Sequence, residues 1–83
     1  MYYVYLIVSV DSKNYIGYTE DLERRLCEHN HGENTSTRGN QWRLVYYEAY
    51  ADKRDAMTRE HKLKHDGRSR YQLMQRVKDS VSK

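Results

Sequence analysis

Residues Tyr2 to Val10 read Tyr-Tyr-Val-Tyr-Leu-Ile-Val-Ser-Val, a run that is mostly β-branched or aromatic and carries no charge. Such a run predicts a strand. Its apolar character does not alternate, so both of its faces are expected to be covered. Asp11-Ser12-Lys13-Asn14 supplies turn residues, and Asn14 to Tyr18 predicts the return strand of an antiparallel hairpin. Tyr5 and Tyr15 share a sheet face only if the connecting loop has an odd number of residues, and the sequence leaves that register open.

A helix is expected to follow, with Thr19 as its N-cap and Glu20, Asp21 and Glu23 in a first turn that favours anions. Leu22 and Leu26 form its apolar stripe. Arg25 and His29 are also four apart and project from one face. Gly17 lets the backbone bend or lets another group come close. A tyrosine at a strand end, followed by an arginine and a histidine one helical turn apart, suits the gripping of a phosphate. Asn30 or Gly32 is expected to end this helix.

Gly32 to Gln41 is a polar loop whose hydroxyls, amides and Arg38 suit either phosphate contacts or an ordinary connection. Trp42 to Tyr50 predicts a third strand, with Trp42, Leu44, Tyr46, Glu48 and Tyr50 on one face. Asp52 is the expected N-cap of a helix running to about His65 and ended by Gly67. Ala56, Met57 and Leu63 form its stripe, and Glu60 falls on the same inward face, where a carboxylate needs a partner. A last helix is expected from Ser69 to about Val81, capped by Ser69 and Gln72, with Tyr71, Met74, Val77 and Val81 facing inward. The fold class is therefore α/β in the broad sense (α+β): a three-stranded antiparallel sheet flanked by helices, in the order β-β-α-β-α-α.

Eighty-three residues predict a single small domain with a modest core. One cysteine, Cys27, excludes an internal disulfide and a multi-cysteine zinc site and fits a reducing compartment. No run approaches the roughly 18 apolar residues of a membrane span, and no signal peptide is evident. The net charge of +3 is uneven. Residues 1 to 41 hold four Lys/Arg against six Asp/Glu, whereas residues 42 to 83 hold eleven against six. A basic C-terminal half suits a polyanionic partner or a solvated surface.

Tyr3-Val4-Tyr5, then Tyr15-Ile16-Gly17, Arg25, His29 and, on a later helix, Glu60 form an ordered set that resembles the GIY-YIG nuclease family. The set looks most like the small stand-alone members related to the nuclease domain of bacterial excision-repair incision proteins. The resemblance covers about residues 2 to 65. It implies metal-dependent hydrolysis of DNA phosphodiester bonds, on branched or damaged DNA. By resemblance, Glu60 would be the sole protein ligand of one Mg²⁺ or Mn²⁺, Arg25 would hold the phosphate, and Tyr5 would orient or deprotonate the attacking water. Tyr15 would bond the phosphate or its waters, and His29, with a free pKa near ~6.5, would relay the proton. Gly17, Arg24, Arg38, Lys62 and Lys64 are expected to line the DNA.

The residues alone also admit plainer readings. Tyr5 and Tyr15 could be core strand tyrosines, Arg25 and His29 surface cations, and Glu60 the partner of Arg25. Tyr18 departs from relatives that carry a lysine there, which leaves the general acid unassigned. The competing function is a non-catalytic nucleic-acid-binding module on the same fold, and a weaker third is a protein-interaction domain. Weak sequence preference is expected, with specificity supplied by a protein partner or a homodimer. The expected location is cytoplasmic or nucleoid-associated.

Overall fold

The computed structural model describes residues 1–32, 37 and 39–83. Strands β1 (Tyr2–Ser9), β2 (Asn14–Thr19) and β3 (Trp42–Tyr50) form one antiparallel sheet in the order β2-β1-β3. Helix α1 (Leu22–Asn30) lies between β2 and β3 in the chain; α2 (Lys53–His65), α3 (Gly67–Arg76) and α4 (Lys78–Ser82) follow. The order is β-β-α-β-α-α-α, one helix more than expected.

The central position of β1 explains its composition. Val4 and Leu6 point into one core, with Ile16, Ala56, Leu63, Leu73 and Val77. Tyr5 and Ile7 point into the other, with Trp42 and the partly buried Leu22 and Leu26 of α1. Each burial removes apolar surface from water at about 25 cal/mol per Å². Val10 is not part of the strand. It sits in the turn and is 85% exposed, because the chain reverses where Ser9 N–H donates to Lys13 O and Ser12 adopts a φ of 69°.

The register pairs Tyr5 with Gly17 and Ile7 with Tyr15, which puts both tyrosines on the α1 side of the sheet. On β3 the expected single face is broken. Ile7 opposes Leu44 and Leu6 opposes Tyr46, so Val45 is an extra residue in a bulge. Trp42 and Leu44 therefore pack toward α1, whereas Tyr46 and Tyr50 pack toward the core beneath α2 and α3.

That second face holds an ion cluster. The Glu48 carboxylate accepts from Tyr46 Oη at 2.6 Å, from Tyr50 Oη, and from Arg59 Nε and Nη2 at 2.9 and 3.0 Å. Burial alone would raise the Glu48 pKa, but these bonds hold it below the usual carboxylate range. The cluster ties α2 to β3.

Four helix ends differ from expectation. Thr19 belongs to β2, and its hydroxyl accepts from Asp21 N–H; Asp21 is the N-cap of α1 and accepts from Arg24 N–H. Gly67 does not end α2. Asp66 both closes α2 and caps α3, accepting from Arg68 N–H and Ser69 Oγ, so Ser69 lies inside the first turn rather than capping it. The last segment breaks at Val77 into α3 and α4, and Arg43 of β3 donates to the carbonyls of Ser80 and Val81. Met57 and Tyr71 are exposed, at 48% and 65%, and Leu73 takes the inward place assigned to Tyr71. Gly32 does follow α1 in a left-handed conformation, φ 74°. Among the described residues no helix is long and apolar enough to cross a membrane.

Candidate active site

The hairpin register and α1 bring four of the expected site residues together. Leu22 and Leu26 seat α1 on the sheet, and the 3.6-residue period then directs Arg25 and His29 at Tyr5. Tyr5 Oη lies 2.7 Å from His29 Nε2 and accepts from Arg25 Nε at 3.3 Å. Its ring crosses β2 directly over Gly17. A Cβ on Gly17 would stand 2.9 Å from Tyr5 Cε1 and closer still to Cζ and the hydroxyl. The glycine is thus explained by close approach, not by a bend.

His29 is fully buried. Its Nδ1 lies 2.7 Å from Thr37 Oγ1, and Thr37 is held in turn by Trp42, whose Nε1–H donates to the Thr37 carbonyl at 2.9 Å. The Asn30 side chain fixes the Trp42 backbone through two bonds. With the proton on His29 Nδ1, directed at Thr37, Tyr5 O–H donates to Nε2 while Arg25 Nε–H donates to Tyr5. Burial, with the Arg25 charge, lowers the His29 pKa to about 4 despite the opposing charge of Glu28. The free value near 6.5 does not hold here. Burial also pushes Tyr5 up to about 12 against the Arg25 hydrogen bond and charge, with smaller upward contributions from Tyr15 and Glu60.

The sign of the histidine effect is testable. Unfolded, His29 takes up a proton near pH 6.5; folded, only near 4. Its contribution is complete above pH 6.5 and is lost as pH falls to 4, on the order of 3 kcal/mol. Asp52, Asp66 and Glu48 have lowered pKa values, so their contributions begin to be lost only at the acidic end of that window, and equally in wild type and variant. Urea midpoints at pH 7.5 and 4.5 should therefore differ markedly in the wild type and much less in His29→Gln. Equal differences would contradict the assignment.

Tyr15 adjoins this cluster, whereas Glu60 and the basic residues make other contacts. Tyr15 packs edge-on against His29, ring centroids 4.9 Å apart, and its hydroxyl has no hydrogen-bond partner among the described residues. Glu60, with its side chain 24% exposed, pairs with Lys64 at 3.4 Å rather than with Arg25. Arg25 instead pairs with Glu28 at 2.9 Å. In both cases a partner one turn along the same helix prevails over one on another element. Arg25 Nη2 remains free among the described residues. Arg24 is exposed and pairs with Glu28 at 3.6 Å; Lys62 is exposed; Arg38 lies outside the described residues. Tyr18 packs on the opposite face of the sheet, stacked on Tyr2, and contributes nothing here. Thr37 and Glu28 were not singled out from sequence: one sits in a polar loop, and the other looks like any exposed helical glutamate.

A cavity of about 210 Å³ between Val8, Ser9, Val10, Gln41, Trp42 and Arg43 is a separate feature. It holds none of the clustered polar side chains, and its Arg43 is committed to α4.

A family model described as the GIY-YIG catalytic domain matches residues 1–72. The chain belongs to the GIY-YIG family. As a GIY-YIG protein it is 35% identical over 74 residues to a UPF0213 protein of Lacticaseibacillus paracasei, covering 87% of this chain and 83% of the relative. It is 41% identical over 75 residues to a UPF0213 protein of Haloquadratum walsbyi, covering 88% and 84%. The solution NMR structure of a UPF0213 protein from Bacillus halodurans superposes with a TM-score of 0.57 at 38% identity, covering 90% of this chain and 84% of that one. The Bacillus halodurans protein shares its fold. Membership implies nuclease-type activity in general terms.

Proposed function

We propose that this GIY-YIG protein is a divalent-metal-dependent endonuclease that hydrolyses DNA phosphodiester bonds. The observation that carries the reading is the Tyr5 hydroxyl held between His29 Nε2 and Arg25 Nε over Gly17. Hydrolysis requires a group to take a proton from water and another to meet the charge that grows on phosphate. The cluster provides both, and among the described residues Arg25 Nη2 and the Tyr15 hydroxyl are free to donate.

The acidities restrict the mechanism. Burial raises the Tyr5 pKa and lowers that of His29, so both groups rest neutral. Tyr5 acts as a relay: as its oxygen takes the proton of water, its own proton passes to His29. Arg25, which donates to that oxygen, stabilises the charge in transit.

Glu60 fits a hard cation. Among the described residues no three His, Cys, Asp or Glu side chains converge into a metal-binding group, so an all-protein cage is excluded there. A single carboxylate suits Mg²⁺ or Mn²⁺, which keep several waters and complete their shell with phosphate oxygens. Bound there, the ion would supply Lewis-acid charge to the phosphate.

The test is cleavage of labelled plasmid, single-stranded and branched DNA with Mg²⁺, Mn²⁺ or chelator, by wild type, Glu60→Ala and Arg25→Ala, each checked for folding. Metal-dependent cutting by the wild type, lost in both variants, is expected. Binding without cutting by all three under every metal would replace this reading with a binding module.

A further inference from the structure

Lys64 enters the cluster from two directions. Its Nζ lies 3.4 Å from Glu60 Oε2 on α2 and 5.2 Å from the centroid of the Tyr15 ring on β2. Its side chain is 34% exposed, and both of its contacts are residues of the candidate site. The ammonium thus sits between a carboxylate of α2 and an aromatic ring of β2.

We propose that Lys64 is an exchangeable cation of the site: it neutralises Glu60 in the metal-free protein and transfers to a DNA phosphate oxygen when a divalent cation takes Glu60. This rests on the metal-dependent nuclease reading. A glutamate–lysine pair four residues apart on a helix shifts an equilibrium only about twofold, so it yields readily to a stronger ligand. A divalent ion on the same carboxylate repels the ammonium. With the charges about 5 Å apart in water at ordinary salt, that repulsion weakens ion binding about fivefold. An arriving phosphate removes the penalty, because it gives the ammonium a new anionic partner. Lys64 Nζ, the Tyr15 hydroxyl and Arg25 Nη2 then present three donors from three elements, two of them charged. Metal binding and DNA binding are thereby coupled through one side chain: the ion is held weakly until the phosphate that needs it is present.

The coupling predicts opposite signs in two measurements on Lys64→Gln. Mn²⁺ binding to the DNA-free protein, read by electron paramagnetic resonance, should tighten severalfold. Single-turnover cleavage of labelled DNA at saturating metal should slow tenfold or more. Lys64→Arg keeps the charge, so its Mn²⁺ affinity should match the wild type and its rate should be partly retained. A purely structural role moves neither reading in opposite senses. Unchanged Mn²⁺ affinity in Lys64→Gln overturns the exchange, and an unchanged cleavage rate overturns the transfer to phosphate. Absence of cutting by the wild type itself, under every metal, is a failure of the nuclease reading and is distinguished from both, because the Mn²⁺ measurement needs no DNA.

Discussion

Gly17→Ala should slow DNA cleavage about a thousandfold and destabilise the fold together. The added methyl group would overlap the Tyr5 ring, which already lies against the β2 backbone. Gly17 is buried and paired with Tyr5 across the hairpin, so the backbone has no room to retreat. The ring has to move, and it packs against Ile7 and Trp42, Tyr15 and His29. Overpacking of this kind costs about 1–3 kcal/mol. A displacement of about 1 Å at a group that must align with a reacting atom can cost about 100-fold in rate. Loss of both the Tyr5–His29 and Tyr5–Arg25 bonds makes a larger fall the expected result. Thermal unfolding and single-turnover rates of the variant check the two halves. A stable variant with wild-type rate would mean that Tyr5 can leave its place over Gly17 without consequence.

Tyr5→Phe separates chemistry from packing. The ring keeps its place between the sheet and α1, and only the hydroxyl is removed. His29 Nε2 and Arg25 Nε each lose one partner, which costs about 1–3 kcal/mol of stability for the buried imidazole. The proton route from water to His29 is cut outright. General acid–base groups contribute about 10²–10⁴ in rate, so a fall of about a thousandfold is expected with the metal requirement unchanged. Gly17→Ala and Tyr5→Phe should then agree in activity while the first is the more damaging to packing.

The strands and helices were legible where a local pattern decides them. The β-forming run of β1, the span Trp42–Tyr50 and the Asp52 cap of α2 are all written in adjacent residues. The pairing of Arg25 with His29 on one helical face was legible for the same reason. What lay beyond the sequence depends on partners far along the chain. The bulge at Val45 is set by how β3 meets β1, and it moves Tyr46, Glu48 and Tyr50 to the face opposite Leu44. The Glu48–Arg59 cluster follows from that shift and cannot be found in the alternation of β3 alone. Thr37 is recognisable only once His29 is buried beside it. Lys64, expected from sequence only to line the DNA, is tied to Tyr15 once α2 packs beside β2. Asp21, Asp66 and Ser69 show the opposite limit: several capping residues stood next to one another, and local geometry, not composition, chose among them.

The proposed relay passes through one oxygen atom, and the measurement that addresses it is the single-turnover rate of Tyr5→Phe on labelled branched DNA in Mg²⁺, beside the wild type and with the variant's fold verified by circular dichroism. Cutting by the wild type with a loss of about a thousandfold in the variant is the predicted result. A folded Tyr5→Phe protein that cuts at the wild-type rate would contradict the proton relay through Tyr5 and His29.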